Sequence, residues 1–275
     1  MTDQQQLLPP LLEVAESAAK AIMRVYLRDD HGVQQKKDDS PVTEADLAAH
    51  HIIQQRLAIL TPQIPPLSEE AADISYAERS QWHQFWLIDP LDGTKEFIRR
   101  NDEFTVNIAL IEQGKPQLGV IYVPVTGICY YGGNQLGAWK KAPGKPAIRI
   151  HCKKLGETLT IVASRRHGTD ENAPILQALA GEFKNFEKKS YGSSLKMCLI
   201  AEGKADFYPR LFPTSEWDTA AAQAIVEAAG GQILDTNLRP LTYNQRESLL
   251  NPFFYVIGDP DFPLQQLPKP AGNSG

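Results

Sequence analysis

The sequence predicts a layered α+β fold that passes into an α/β half, on three observations. Two helical segments open the chain, the first with Leu8, Leu11, Leu12, Ala15, Ala18, Ala19, Ile22 and Tyr26 at three- and four-residue spacing. Short apolar strands separated by turn residues then run from Phe85 to Lys140. Beyond about residue 158, strands and helices alternate.

Taken in order, the first helix leads into a polar stretch, residues 31–39, predicted as a loop. Thr43 is placed to cap a second helix that runs through Ile53 and Leu57 to about Leu60, where Pro62, Pro65 and Pro66 stop it. Phe85-Trp86-Leu87-Ile88 reads as a buried strand, with Trp82, Phe85 and Trp86 as packing residues. Residues 105–111 form a strand and Glu112-Gln113-Gly114-Lys115 a hairpin turn; strands at 119–123, 128–131 and 136–140 continue the meander. After the Pro- and Gly-containing 141–145, strands at 159–164, 186–190, 206–211 and 232–235 alternate with helices at 171–181, 194–202 and 218–229. The expected organisation is an antiparallel sheet with two helices over 1–145, an α/β subdomain over 146–258, and a frayed tail over 259–275.

At 275 residues the chain can bury a large core, and 42% hydrophobic with 22% charged residues is ordinary for a globular protein. A net charge of -5 argues against affinity for nucleic acid polymers or anionic membranes. Cys129, Cys152 and Cys198 are odd in number and widely spaced, which predicts a reduced, cytoplasmic protein. Met1-Thr2-Asp3-Gln4 lacks the opening of a signal peptide, and no apolar run is long enough for a transmembrane segment. Peripheral association with the inner membrane is left open, and the oligomeric state is unknown from sequence.

The chemistry concentrates at Asp89-Pro90-Leu91-Asp92-Gly93-Thr94, directly after the buried strand. Two carboxylates three residues apart can converge on hard cations, since Mg²⁺ takes oxygen ligands and shares them with substrate phosphates. Gly93 admits close backbone approach, and the amides around Thr94 open a short helix toward an anion. The simpler reading is a strand ending in an Asp/Gly turn. Company overturns it: Glu69-Glu70 lies upstream and Trp217-Asp218 opens an Ala-rich helix downstream. Three separated acidic sites at element boundaries suit a multi-metal phosphatase.

These segments, with Pro41 to Asp46 (PVTEAD), Lys95-Glu96-Phe97, Gly192 to Lys196 (GSSLK) and Glu216 to Ala222 (EWDTAAA), resemble the inositol monophosphatase superfamily of lithium-sensitive, magnesium-dependent phosphatases. Lys95 and GSSLK make the resemblance nearest to the 3'(2'),5'-bisphosphate nucleotidases of bacterial sulfur assimilation. It implies a five-layer α-β-α-β-α sandwich and two or three Mg²⁺ ions. Glu69, Asp89 and the Leu91 carbonyl would hold one ion; Asp89, Asp92 and Asp218 would hold a second. Asp46 and Thr94 would orient and deprotonate the attacking water. The nucleotide substrate would meet Glu69, Leu91, Asp92, Gly93, Thr94, Ser164, His167, Ser193, Lys196 and Asp218. The family usually has Ser where Arg166 stands, so the resemblance assigns this arginine no role.

Simpler readings stand beside these roles. Asp46 three residues after Thr43 is a capping-box variant, and both roles hold if the helix start is itself the scaffold. Asp218 is also a helix N-terminal carboxylate, and GSSLK an ordinary serine cap. The expected reaction is hydrolysis of adenosine 3',5'-bisphosphate to AMP and phosphate. The nearest alternative is an inositol or sugar-phosphate phosphatase with the same metals, and a further one is a non-catalytic binding protein.

Overall fold

The computed structural model describes residues 3–35, 41–164 and 173–268. Helix α1 (Gln4–Tyr26) and helix α2 (Glu44–Leu60) pack on one another, and the pair β1 (Gln34–Gln35) and β2 (Pro41–Val42) bridges the stretch predicted as loop. A seven-stranded sheet follows: β3 (Pro66–Ser68), β4 (Gln84–Asp92), β5 (Thr105–Glu112), β6 (Lys115–Val123), β7 (Ile128–Gly133), β8 (Gly137–Lys141) and β9 (Ile148–Arg149), in that order. Short helices α3 (Tyr76–Arg79) and α4 (Thr94–Ile98) flank β4. Only β3 and β4 are parallel; the rest is an antiparallel meander, as turns such as Glu112 to Lys115 require.

The second half holds β10 (Thr158–Ala163), α5 (Ala173–Glu182), β11 (Asn185–Ser190), α6 (Leu195–Ala201), β12 (Phe207–Arg210), α7 (Glu216–Ala228), β13 (Gln232–Asp235) and β14 (Phe254–Ile257). Its five strands lie in the order β11-β10-β12-β14-β13, with β10 parallel to both neighbours and β14 antiparallel to both of its own. Strand β14, absent from the sequence expectation, sits inside the sheet. A four-residue run buried on both faces carries no period by which to recognise it.

Side-chain alternation stacks these layers. In β4, Phe85 and Leu87 face α6 and α7, while Trp86 and Ile88 face α1 and α2. In β14, Phe254 and Val256 face α6 and α7, while Tyr255 and Ile257 face α5. The order is therefore α1/α2, the first sheet, α6/α7, the second sheet, α5. The chain past residue 258 is not simply frayed, as Phe262 and Leu264 are buried in the α5 layer.

Helix α7 crosses the first sheet so closely that a Cβ on Gly119 of β6 would lie 2.1 Å from the Ala221 carbonyl oxygen. Backbone faces backbone there, so neither side can turn aside. Gly119→Ala is expected to cost about 3 kcal/mol, read as a fall of several degrees in the thermal midpoint. An unchanged midpoint would mean that the helix can back away, against this packing.

Candidate active site

Asp89 and Asp92 are three residues apart, so in a regular strand they would point to opposite faces. A bulge corrects this. Asp89 pairs with Asn107 and Asp92 with Thr105, so three steps of β4 match two of β5. Pro90 sits inside the irregularity, where its missing N–H costs no ladder bond. Both carboxylates thereby turn to the side of α7, whose first turn carries Asp218. Oxygens of Asp89, Asp92 and Asp218 lie within 4.8 Å of one another. Sequence placed the start of α7 at Asp218; it begins at Glu216, because the Ser215 N–H donates to Asp218 Oδ2 at 2.8 Å and caps the helix.

The acids of this cluster oppose one another electrostatically. Burial, then Glu69, Asp92 and Asp218, push the Asp89 carboxyl well above the usual carboxylate range. Burial, Asp92 and Glu69 raise Asp218 to about 8. Asp92 is also raised, chiefly by burial, and Lys196 opposes that. Glu69, in a 3₁₀ turn after β3, lies outside the close trio but acts on Asp46, Asp89 and Asp218. Like charges gathered away from water are stabilised by a cation, and all-oxygen donors suit a hard divalent one. The donor set therefore fits Mg²⁺.

Asp46 joins from the other side of the first sheet. Its Oδ2 accepts from the Thr43 N–H at 2.8 Å and the Thr43 hydroxyl at 2.6 Å, so the capping role is present. Its Oδ1 accepts from the Thr94 hydroxyl at 3.0 Å. Thr94 opens α4 after Gly93, whose φ of 95° favours glycine. Thr94 also lies 3.3 Å from the Leu91 carbonyl oxygen.

An open cleft of about 680 Å³ runs from Asp92 and Asp218 past Gly93, Lys95, Ser164, Ser193 and Lys196. Ser193 takes a left-handed φ of 45°, and Gly192 packs so tightly that a Cβ would meet the Glu103 carbonyl oxygen at 2.9 Å. Lys196 is buried; its ammonium donates to the carbonyls of Ser193 at 2.7 Å and Tyr191 at 3.3 Å and lies over the Tyr208 ring. His167 and Arg166 lie outside the described residues.

Sequence reading passed over Tyr208, Arg210 and Thr214, which line the cleft, and Thr105 and Asn107, which brace Asp92. A signal for the last two was present. They are polar residues two apart in a strand that is otherwise apolar as far as Ile111, hence on one face. For Arg210, only the fold brings the end of β12 to the acidic cluster.

The chain matches the sequence model of the inositol monophosphatase family over residues 3–256, and it belongs to that family. Among its relatives, the 3'(2'),5'-bisphosphate nucleotidase CysQ of Salmonella typhimurium is 49% identical over 91% of this chain and 99% of its own. The protein of the same name from Haemophilus influenzae is 38% identical over 97% of this chain and 98% of its own. The crystal structure of CysQ from Bacteroides thetaiotaomicron superposes with a TM-score of 0.82 at 40% identity, covering 94% of this chain and 99% of that one. An inositol monophosphatase from Anabaena shares the fold, with a TM-score of 0.70 at 24% identity over 98% of each chain.

Proposed function

We propose that this protein is a Mg²⁺-dependent 3'(2'),5'-bisphosphate nucleotidase that hydrolyses adenosine 3',5'-bisphosphate to AMP and phosphate, serving sulfur assimilation. The observation that carries the chemistry is the meeting of Asp89, Asp92 and Asp218 at one end of a cleft that also holds Lys95, Lys196 and Arg210. The identity with CysQ proteins over nearly their whole length supports the substrate. An acidic wall to hold cations and a basic wall to hold a second anion suit a substrate with two phosphates better than a monoester.

Asp89, Asp92 and Asp218, with Glu69 and the Leu91 carbonyl, would hold the two or three ions, which supply charge to the phosphoryl group and its leaving oxygen. The protein's own residues do the rest. The Thr94 hydroxyl gives its hydrogen to Asp46, so its lone pairs are left to accept from a water. As the water attacks, its proton passes to the Thr94 oxygen while the Thr94 hydrogen moves on to Asp46 Oδ1, and Thr43 holds that carboxylate in place. Ser164, Gly93, Ser193 and Lys196 hold the nucleotide, and His167 is assigned with them on its resemblance to the family's substrate residue. No described helix is long and apolar enough to cross a membrane, and all three cysteines are unpaired, which fits the reducing cytoplasm proposed as its location.

The test is phosphate release from adenosine 3',5'-bisphosphate, inositol 1-phosphate and fructose 1,6-bisphosphate, with and without Mg²⁺ and with millimolar lithium. Preference for the nucleotide, dependence on Mg²⁺ and loss of rate with lithium are expected. Preference for inositol 1-phosphate would favour the family's other activity. Lys196→Ala is expected to cut kcat/KM for the nucleotide by about ten- to a hundredfold, as one charge-assisted contact is worth about 1.5–3 kcal/mol. Activity on a monophosphate should fall much less. Equal losses on both would return Lys196 to a role in propping the Tyr191 and Ser193 carbonyls.

A further inference from the structure

Behind the acidic cluster lies a closed polar network where β4, β5 and the start of α6 meet. Asn107 is 1% exposed and sits opposite Asp89 in the β4–β5 register. Its Nδ2 donates to Asp92 Oδ2 at 3.2 Å, while its Oδ1 accepts from the hydroxyls of Thr105 at 3.0 Å and Ser194 at 2.9 Å. The Ser194 N–H donates to that same Asp92 oxygen at 2.6 Å. The amide has one sensible orientation, because turning it over would set its oxygen against the Asp92 carboxylate.

Asn107 thus touches both walls of the cleft at once. Asp92 belongs to the bulged strand that presents the acids, and Ser194 stands immediately before α6 and two residues before Lys196. We infer that Asn107 is a positioning residue that fixes Asp92 toward the cation cluster and seats the Gly192–Lys196 turn against it, so that metal binding and nucleotide binding share one brace. The Asn107 amide and the Ser194 N–H donate to Asp92 Oδ2, with the Thr105 hydroxyl 3.5 Å away; together they settle how the carboxylate is turned, and a cation can use only the lone pairs they leave. Groups that orient a ligating carboxylate in this way commonly govern metal affinity by ten- to a hundredfold.

This inference rests on the metal-dependent phosphatase reading, and its test separates the two. The thermal midpoint of the protein is followed against Mg²⁺ concentration without substrate, for wild type, Asn107→Leu and Ser194→Ala. In parallel, kcat and KM for adenosine 3',5'-bisphosphate are measured at saturating Mg²⁺. Asn107→Leu keeps the branched shape, at a somewhat larger volume, and loses every polar contact; its Mg²⁺ half-saturation is expected to rise about tenfold, and its KM severalfold more than kcat falls. Ser194→Ala removes one partner of Asn107 and should move both readouts the same way by about threefold, which keeps the test decisive if the leucine variant does not fold. A merely structural asparagine would lower the midpoint and leave the half-saturation and KM where they are. That result in a folded variant overturns the inference while the phosphatase reading stands. A wild-type midpoint indifferent to Mg²⁺ overturns both.

Discussion

Asp89→Asn should abolish turnover while making the metal-free protein more stable. Asp89 is the most buried member of the trio, at 1% exposure, and its charge is opposed by Glu69, Asp92, Asp218 and Asp46. Asparagine keeps the shape, and its oxygen can still accept the Leu91 N–H that Asp89 Oδ1 receives at 3.0 Å. Replacing the acid relieves, in the metal-free protein, the repulsion and burial cost that otherwise keep a proton on it, so the midpoint without Mg²⁺ is expected to rise by about 3 °C. The same change removes a negative donor from the cation site. Turnover is expected to fall about a thousandfold, about 4 kcal/mol, and the Mg²⁺-induced rise in midpoint should vanish. A folded variant within tenfold of wild-type kcat would sink the assignment. A destabilised metal-free variant would show instead that Asp89 has a structural partner that outweighs the repulsion.

The second large effect is in pH. Asp218 titrates at about 8 in the folded protein against 3.8 for an ordinary Asp, raised first by burial and then by Asp92 and Glu69. Between those two values the folded state holds a proton that the unfolded state has lost. Its contribution to stability is therefore full below 3.8 and is lost as pH rises through about 8. Asp89 and Asp92 are raised too and act in the same direction. The midpoint of the metal-free protein should fall by about 5 °C between pH 5 and pH 8. Mg²⁺ should abolish the fall, because a cation satisfies the charges that protons otherwise cover; its stabilisation grows with pH as proton competition weakens. Asp218→Asn should flatten the metal-free slope. A metal-free midpoint that rises steadily with pH in this window would contradict the picture of repelling, desolvated acids.

Much of the candidate site was legible because its residues travel in short segments whose chemistry is local. Asp89, Asp92, Gly93 and Thr94 fall within one turn of sequence, and Thr43 with Asp46 writes a helix start that the structure shows as a capping box. Apolar runs such as Phe85 to Ile88 announce a strand buried on both faces, since residues of either parity find a core. These are one-dimensional facts: period, turn chemistry and the order of acids along the chain.

What the chain order could not carry is parity and depth. Nothing local shows that a bulge lets Asp89 and Asp92 face the same side, since register belongs to the partner strand. The approach of α7 to Gly119, which delivers Asp218, depends on a helix about a hundred residues away finding a strand position without a side chain. Lys196 reads as a cation for a phosphate, and only packing reveals that its ammonium also props two carbonyls of its own turn. Asn107, an unremarked polar residue in an apolar strand, acquires its partners when β5, β4 and the start of α6 meet. The order of residues pointed to a candidate set of acids, hydroxyls and cations, because functional groups and local propensity are properties of residues. Tertiary structure decided which of them share a face, a charge and a partner, because desolvation and repulsion exist only between groups that folding has brought together.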